Sequence, residues 1–591
     1  MSYRAPVKDM LFVMKALAGI EAVATLPGHE DHGLDTAAAV LEESAKFAEG
    51  VIAPLNWEGD RNPSYLKDGV VHATPGFKEA FHQYAEGGWQ GLQHPEAFGG
   101  QGLPKLIHAA CSEMVNSANM SFALCPLLTD GAVEALITAG TPEQQQRYLP
   151  KLIDGTWTGT MNLTEPQAGS DLSLVRTRAE PQPDGSYKLF GTKIYITWGE
   201  HDMADNIVHL VLARVAGAPE GVKGISLFIC PKVLPDGTRN DVHCVSIEHK
   251  LGIKASPTAV LQYGDHGGAV AELVGAENRG LEYMFIMMNA ARYGVGVQGI
   301  ALAERAYQKA VQYARDRVQS RPVDGSLPQA AAIIHHPDVR RMLMTMRAWT
   351  EGCRAMALVG AAAFDAAHAH PDADTRAQNQ AFYEFLVPLI KGLSTEMALE
   401  VASLGVQVHG GMGFIEETGA AQYLRDAKIL AIYEGTTAIQ ANDLVGRKTA
   451  RDGGRVALAI AGRIEATEGE LAARGSAACK AMARRLAAAR KAFVEVVGFV
   501  AGHTKAQPNA VYAGSVLYLQ LAGLAVAGWQ MGRALMAAED ALAAGEDPDF
   551  MQAKIATARF FGDHLLTQAP ALRDRIVEGA DAVTAMALES F

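Results

Sequence analysis

The chain is poor in cysteine, with six cysteines among its 591 residues. No two of them are separated by only two residues, which is the spacing that opens most zinc sites and redox motifs. They are also too scattered to form the framework of a small disulfide-rich domain. The sequence therefore predicts no metal site and no disulfide framework, and it favours a reduced, cytoplasmic location.

Basic residues are in the minority, since 52 Lys and Arg stand against 65 Asp and Glu, which gives a formal net charge of −13. A surface that binds nucleic acid needs clustered Lys and Arg to neutralise phosphates. Even the part of the chain from Arg447 onward holds 17 basic and 15 acidic residues by direct count. No nucleic acid partner is expected.

Long hydrophobic runs are rare. The first 18 residues include four charged residues, so they do not have the uninterrupted core of a signal sequence. Residues 506–532 carry no charge and are largely apolar from residue 516, close to the minimum length of a membrane span. Gln520, Gln530 and several small residues in this run favour a buried helix of a helical bundle. We therefore predict no integral membrane segment, and a peripheral membrane contact stays open.

Periodicity divides the chain into four parts. Apolar residues recur at the helical period over residues 34–52, 75–91, 105–120 and 129–153. Short alternating runs, typical of strands, follow at 157–163, 187–198, 206–215, 224–230, 242–249 and 259–264. Helical patterns return at 280–317, 339–368 and 375–408. The sequence predicts a mainly α protein with an inserted antiparallel β domain: an N-terminal helical domain (1–158), the β domain (159–277), a helical bundle (278–450) and a C-terminal helical domain (456–591), with residues 448–454 (KTARDGG) as a linker.

Gly294, Gly296 and Gly299 form a GxGxxG pattern. A dinucleotide site of this type needs a strand before the pattern and a helix after it, within a βαβ unit. Helical periodicity both precedes and follows these glycines. We therefore expect them to let two helices pack closely.

Four segments combine turn residues with polar side chains that a ligand could contact: residues 163–171 (LTEPQAGSD), 191–198 (GTKIYITW), 407–414 (QVHGGMGF) and 432–440 (IYEGTTAIQ). In the first, a Pro and Gly turn leaves a strand and offers hydroxyls at Thr164 and Ser170. In the third, Gly410 and Gly411 end a helix. Taken singly, each of these segments fits a structural role as well as a ligand site.

The second segment is a predicted strand. Strand alternation places Tyr195 and Thr197 on one face, with Ile194 and Ile196 on the other. An aromatic ring and a hydroxyl two residues apart could line a ring-shaped cofactor. A sheet face packed on helices is the equally open alternative.

Glu434 is the candidate general base. Thr437 and Gln440 match a Thr-x-x-Gln capping box, which predicts that a helix begins there and that Glu434 lies in the loop before it. The helix dipole and free N–H groups lower the pKa of such a carboxyl, whereas an apolar pocket raises it. A carboxylate in that balance is ionised when the pocket is empty and accepts a proton when substrate arrives. A solvated loop glutamate is the alternative for this segment alone.

In this order, TEPQAGSD, YIT, HGGMGF and IYEGTT resemble the motifs of the acyl-CoA dehydrogenases over about residues 40–450. The added C-terminal helices resemble the long bacterial subgroup of that family. The resemblance implies FAD-dependent α,β-dehydrogenation of an acyl-CoA thioester to the trans-2-enoyl-CoA, as in fatty acid β-oxidation. The implied substrate is either 3-methylmercaptopropionyl-CoA or a medium- to long-chain fatty acyl-CoA.

The resemblance also implies roles for individual residues. Glu434 matches the base that removes the α-proton while a hydride moves to flavin N5. The positions that match contacts to a non-covalent FAD are Met161, Leu163, Thr164, Gly169, Ser170, Tyr195, Ile196, Thr197, Arg317, Gln407, Gly410, Gly411 and Thr436. The positions that match substrate contacts are Ser170, Asn289, Arg292 and Gly435. The chain departs from the family pattern at Tyr195, usually Trp, at Ser320, commonly aromatic, and at Pro337, commonly Gln.

The family's partners are implied in the same way. They are the acyl-CoA substrate, an electron-transfer flavoprotein or similar acceptor, and a second copy of the chain, because Gln407-type contacts to the adenine half of FAD come from a neighbouring subunit. A homodimer is expected. The open alternative is an acyl-CoA oxidase that passes electrons to oxygen. The near balance of 17 basic and 15 acidic residues speaks against a DNA-associated flavoprotein of the same superfamily, and an intact Glu434 speaks against a non-catalytic scaffold.

Overall fold

The computed structural model describes residues 3–591. The first part of the described chain contains eight α-helices and a two-stranded hairpin, which lies between the fourth and fifth helices. Their bounds are α1 (Val7–Val13), α2 (Ile20–Val23), α3 (Leu34–Phe47), α4 (Leu55–Arg61), β1 (Tyr65–Lys67), β2 (Val70–His72), α5 (Phe77–Glu86), α6 (Lys105–Ala118), α7 (Met120–Ala139) and α8 (Pro142–Ile153). The single helix expected over residues 129–153 is wrong. Thr141 and Gln144 form a capping box, and Pro142 is pre-organised for a first helical turn, so a new helix begins there.

The β domain follows as an eight-stranded sheet. Its strands are β3 (Trp157–Asn162), β4 (Arg178–Pro181), β5 (Tyr187–Thr197), β6 (Asn206–Val215), β7 (Ser226–Pro231), β8 (Val242–Ile247), β9 (Thr258–Tyr263) and β10 (Ala269–Val274). The order is β10-β7-β6-β4-β5-β9-β8, and β10 also pairs with β5, which rolls the sheet on itself. The pairs are antiparallel except that β3 and β4 both run parallel to β6.

The helical bundle is built on three long helices. They are α9 (Gly280–Asp316), α10 (Pro337–Ala369) and α11 (Ala373–His409), followed by α12 (Ala420–Lys428) and α13 (Thr437–Val445). The GxGxxG glycines lie within α9, with Gly294 against α7 and Gly296 and Gly299 against α11. A Cβ at Gly296 would lie 2.7 Å from the Ile390 carbonyl oxygen, and one at Gly299 would lie 2.5 Å from that of Ser394. The prediction that these glycines serve close helix packing is confirmed.

The C-terminal helices pack against this bundle. They are α14 (Arg455–Ala473), α15 (Ala477–His503), α16 (Pro508–Ala513), α17 (Ser515–Ala543), α18 (Pro548–Phe560), α19 (Ala569–Val577) and α20 (Ala580–Val583). The expected linker is not extended, because a helical turn continues from α13 through Ala450. Within it, the hydroxyl of the buried Thr449 lies 2.9 Å from that of Tyr518.

The apolar part of the uncharged run, residues 516–532, lies in α17, which is mostly buried among other helices. Among the described residues, one helix is long and apolar enough to cross a membrane by length and composition, and it is α7 (Met120–Ala139). About 78% of its apolar window is buried inside the protein. Burial of that extent is what a core helix shows.

A buried ion network joins the N-terminal segment, the bundle and the C-terminal helices. The guanidinium of Arg354 on α10 contacts Asp9 at 2.8 Å, Glu113 at 2.5 Å and Glu304 at 2.8 Å. Lys554 on α18 contacts the same Asp9 at 2.6 Å. Burial raises the pKa of Asp9, but Lys554 and Arg354 together lower it to about 2. Asp9 therefore stays ionised over the physiological range.

Candidate active site

A cavity of about 740 Å3 opens between the β domain and the helical bundle, within the range of roughly 300–1,000 Å3 typical of ligand pockets. Most of the predicted site residues border it. They are Met161, Leu163, Thr164, Gly169, Ser170, Tyr195, Ile196, Thr197, Arg292, Glu434, Gly435 and Thr436. The structure thus brings together segments that lie up to 270 residues apart in sequence, since Thr164 and Glu434 face the same space.

The turn after β3 is held in place by an ion pair between Glu165 and Lys193, which the sequence did not predict. Glu165 accepts hydrogen bonds from the Lys193 ammonium at 2.8 Å and from the Thr177 N–H at 3.0 Å. The ammonium also donates to the Leu163 carbonyl at 2.9 Å. Both charged side chains are buried. With Glu165 held inward, the turn presents Thr164 and Ser170 to the cavity.

The strand β5 carries a bulge at Tyr195. Its pairing with β9 shifts register between Lys193 and Ile196, and Tyr195 has a φ of +59°. The regular alternation expected from the sequence is therefore interrupted at this point, although Tyr195 and Ile196 still differ, since the Ile196 side chain is buried in the core of the β domain. A bulge re-aims side chains in this way. Tyr195 remains 60% exposed.

Glu434 lies on a tight turn with unusual backbone geometry. It has a φ of +54°, and Gly435 follows with a φ of +87°, a conformation that costs a non-glycine residue about 1 kcal/mol or more. The turn is held from behind by two side chains. Lys391 donates to the carbonyls of Leu430 at 2.8 Å and Gly435 at 2.7 Å. The Gln440 amide donates to the Glu434 carbonyl at 3.3 Å.

The helix after this turn begins one residue earlier than expected. Thr436, not Thr437, caps α13, and its hydroxyl accepts from the Ile439 N–H at 3.3 Å. The Thr437 hydroxyl donates instead to Glu396 at 2.5 Å. The predicted capping box is wrong because Gln440 uses its amide to hold the turn. The expectation that Glu434 lies just before a helix N-terminus is confirmed.

The electrostatics of Glu434 suit a general base. Burial raises the pKa of its carboxyl, while the charges of Lys391 on α11 and Arg292 on α9 lower it, and the net effect is a pKa above the ordinary value. Burial lowers the pKa of Lys391 to about 8, against the opposing effect of Glu434. A carboxylate with a raised pKa is a stronger proton acceptor near neutral pH.

Replacing Lys391 with Met should shift the acid limb of the pH–rate profile to higher pH. Loss of the ammonium removes a charge that favours ionised Glu434, so the pKa of the base rises and the ionised form persists only at higher pH. The measurement is the pH dependence of flavin reduction at limiting acyl-CoA. Lys448→Met is the control, because Lys448 pairs with Glu384 instead. An unshifted profile in Lys391→Met would contradict this role.

Arg292 borders the cavity. Its side chain is buried, and its Nε has no hydrogen-bond partner within the described residues. The nearest carboxylate is Asp443, 3.8 Å from Nη1. Asn289, one turn earlier, borders a second cavity between α7 and α9 and not the one that contains Glu434. Its substrate role stays a prediction.

Four predicted FAD positions lie apart from the cavity, on the surface. Arg317 follows the end of α9, and Gln407, Gly410 and Gly411 lie at the end of α11, all exposed. The two helix ends meet where the rings of Tyr313 and His409 stack at 4.3 Å. We call these four residues the surface cluster. The structure brings them together with one another, but not with the cavity of the same chain.

The lining of the cavity fits a flavin. Thr164, Ser170 and Thr197, which carry hydroxyls, border it together with Tyr195. Among the described residues, no atom lies within 4 Å of a Cβ added at Gly169, so the turn is open to a ligand there. Apolar surface with a few converging polar groups is what a ring-shaped cofactor needs.

Comparison with known proteins gives a consistent picture. Family models described as the N-terminal, middle and C-terminal domains of acyl-CoA dehydrogenase match residues 35–156, 160–265 and 278–448. A model described as acetyl-CoA dehydrogenase C-terminal like matches residues 460–587.

Two relatives match along nearly their whole length. The chain is 55% identical to the 3-methylmercaptopropionyl-CoA dehydrogenase of Ruegeria pomeroyi, over 100% of both chains. It is 36% identical to a broad-specificity linear acyl-CoA dehydrogenase of Mycobacterium tuberculosis, over 98% of both. Among solved structures, an acyl-CoA dehydrogenase complexed with FAD from Bacillus anthracis superposes with a TM-score of 0.76, at 22% identity over 95% of this chain and 92% of that one.

Proposed function

The chain belongs to the acyl-CoA dehydrogenase family, whose cofactor is FAD, and from that premise we propose that it oxidises 3-methylmercaptopropionyl-CoA to its trans-2-enoyl-CoA with Glu434 as the base. The observation that carries the proposal is the placement of Glu434. Its carboxylate faces the same cavity as the turn after β3 and the bulged strand β5. The choice of acyl group is supported by the full-length likeness to the Ruegeria pomeroyi enzyme.

In the proposed reaction Glu434 takes the α-proton of the thioester. FAD, when bound, supplies the acceptor for the hydride that leaves the β-carbon. The residues that would hold FAD are those of the β3 turn, of Tyr195–Thr197 and Thr436, together with the surface cluster of a partner subunit. In the family the N–H of the base donates to the thioester oxygen, and such a donor is worth about 3–4 kcal/mol toward a developing enolate.

The walls of the cavity support this chemistry. Leu128 on α7, Met161 on β3 and Met288 on α9 give it an apolar lining on the side of the helices. An acyl chain against that lining excludes water from the base and strengthens its interactions. The basic side chains of Lys250 and Lys428 border the same cavity and suit the phosphates of bound ligands.

A panel of acyl-CoAs tests the substrate. We expect 3-methylmercaptopropionyl-CoA to give the highest kcat/KM with an artificial electron acceptor, ahead of straight-chain substrates from butyryl-CoA to palmitoyl-CoA. A higher kcat/KM for a medium- or long-chain substrate would overturn the choice of acyl group. Turnover in air that releases peroxide without an added acceptor would instead favour an oxidase. We propose an electron-transfer flavoprotein, or a similar protein, as the natural acceptor.

We further propose a homodimer in which the surface cluster completes the FAD site of the partner. The cluster is exposed and distant from the cavity, and it is flanked by apolar side chains that face solvent in the single chain. Met412 is 49% and Phe414 87% exposed. Large exposed apolar side chains next to ligand-binding positions are typical of an interface.

Replacing Phe414 with Asp should therefore weaken both association and FAD retention. An aromatic side chain central to an interface contributes about 2 kcal/mol or more, so the dimer dissociation constant should rise by about 30-fold. Light scattering and the ratio of flavin to protein absorbance measure the two effects. Val222→Asp, at an exposed apolar residue of the β domain, is the control. A wild-type monomer that keeps FAD and turns over would contradict the dimer.

A further inference from the structure

Two histidines and an aspartate converge on the surface of the β domain. Asp241 immediately precedes β8, His243 lies on β8, and His266 lies in the turn between β9 and β10. One carboxylate oxygen and one nitrogen of each imidazole all lie within 4.8 Å of one another. The residues that line the Glu434 cavity do not include them. The expectation of no metal site rested on cysteine spacing, which carries no information about this cluster.

The carboxylate of Asp241 is fixed in place by the backbone. Its Oδ2 accepts hydrogen bonds from the N–H groups of His266 at 2.8 Å and Gly268 at 3.0 Å. That arrangement turns Oδ1 toward the two imidazoles. His266 Nδ1 lies 3.1 Å from Oδ1, and His243 Nε2 lies 3.3 Å from it. The central ligand of the cluster is therefore oriented without any ion.

The two nitrogen–oxygen separations are compatible with two edges of a tetrahedral zinc site. Zinc binds imidazole nitrogen and carboxylate oxygen at about 2.0–2.2 Å, which places neighbouring ligand atoms about 3.3–3.5 Å apart. The two nitrogen–oxygen separations of 3.1 and 3.3 Å are close to that value. His243 and His266 are 41% and 76% exposed, so both rings can adjust and water can fill a fourth position.

The charge of the cluster also suits a divalent ion. Two imidazoles with one carboxylate form a ligand set that favours zinc and similar transition metals over calcium or magnesium, which prefer oxygen.

We propose that Asp241, His243 and His266 bind one divalent transition-metal ion of the zinc class at the surface of the β domain. The ion would tie β8 to the turn that joins β9 and β10. The alternative is that both imidazoles only donate hydrogen bonds to Asp241, with no affinity for metal. The two cases make opposite predictions for zinc binding.

Isothermal titration of the chelator-treated, FAD-loaded full-length protein with zinc chloride tests the site. We expect about one high-affinity zinc per chain, with affinity lowered at least 100-fold in His243→Ala and in His266→Ala. Calcium chloride should give no binding to this cluster. His72→Ala is the matched control, because His72 faces the single carboxylate of Asp202 at 3.3 Å on the same protein.

The titration distinguishes a zinc site from a cluster that only makes hydrogen bonds. Loss of one zinc equivalent in both cluster variants, with His72→Ala unchanged, supports the site. Absence of high-affinity zinc binding in the wild type, or the same binding in His243→Ala as in the wild type, would overturn it. Since the cluster lies outside the cavity, FAD content should be the same in all variants, and this shows that each variant is folded.

Discussion

Flavin reduction by acyl-CoA should slow by at least about 10²–10⁴-fold when Glu434 is replaced with Gln, the loss expected for a positioned general base. The amide keeps the volume of the side chain but cannot accept the α-proton. The turn itself should persist, because Lys391 and Gln440 hold its backbone carbonyls and not the carboxylate. Acyl-CoA should still bind.

Further variants sharpen this result. Glu434→Asp keeps the carboxylate but withdraws it by one methylene, and misplacement of that size costs on the order of 10²-fold. Glu417→Gln, at an exposed glutamate outside the cavity, should reduce flavin at the wild-type rate. Rapid mixing under anaerobic conditions follows the loss of oxidised flavin absorbance in each variant. A Glu434→Gln protein that bleaches at the wild-type rate would show that the base lies elsewhere.

Replacing Arg354 with Met should destabilise the protein by about 3–5 kcal/mol, as when one partner of a buried ion pair is removed. The variant leaves the carboxylates of Glu113 and Glu304 buried without their guanidinium. Burial already raises the pKa of the Glu113 carboxyl, against the lowering effect of the Arg354 charge. Loss of Arg354 should therefore raise this pKa further, so that Glu113 takes up a proton. The midpoint of thermal unfolding, compared with that of the wild type, measures the effect.

Arg341→Met on the same helix is the matched control. Arg341 pairs with Asp338 at 2.7 Å, but both side chains are exposed, and such pairs contribute about 0–1 kcal/mol. Arg354→Lys keeps a positive charge, so its midpoint of thermal unfolding should lie between those of Arg354→Met and Arg341→Met. This variant can still be measured if Arg354→Met does not fold. Equal midpoints for Arg354→Met and Arg341→Met would contradict a stabilising role for the network.

The sequence predicted the positions of helices and strands where one hydrophobic period, helical or alternating, dominates a segment. The α9 helix was expected over residues 280–317 and spans Gly280–Asp316, because its apolar period is sustained and its glycines face a neighbouring helix. The break between α7 and α8 was missed, although Thr141, Pro142 and Gln144 mark a helix start. Four strands, β1, β2, β4 and β10, were also missed. The first three have only three or four residues on which to show alternation.

At the candidate site, the sequence predicted the position of Glu434 in a loop before a helix. It did not predict the contacts by which residues distant in sequence hold the site in place. The sequence placed Glu434 in a loop before a helix, since a cap signal lies within three residues of it. No spacing rule links Lys391 to Glu434, because the contact forms between α11 and a loop more than 40 residues later. The pairing of Glu165 with Lys193 is equally invisible in sequence, as it forms between a turn and a strand.

The acyl-CoA dehydrogenase family and the fold expected from the motifs are confirmed, and the role of each site residue awaits experiment. Anaerobic mixing of the FAD-loaded protein with 3-methylmercaptopropionyl-CoA tests the central proposal most directly. We predict rapid bleaching of the flavin and release of a thioester that has lost two hydrogens, seen by mass spectrometry as the trans-2-enoyl-CoA. Flavin that stays oxidised with this substrate and with every other acyl-CoA of the panel would contradict it.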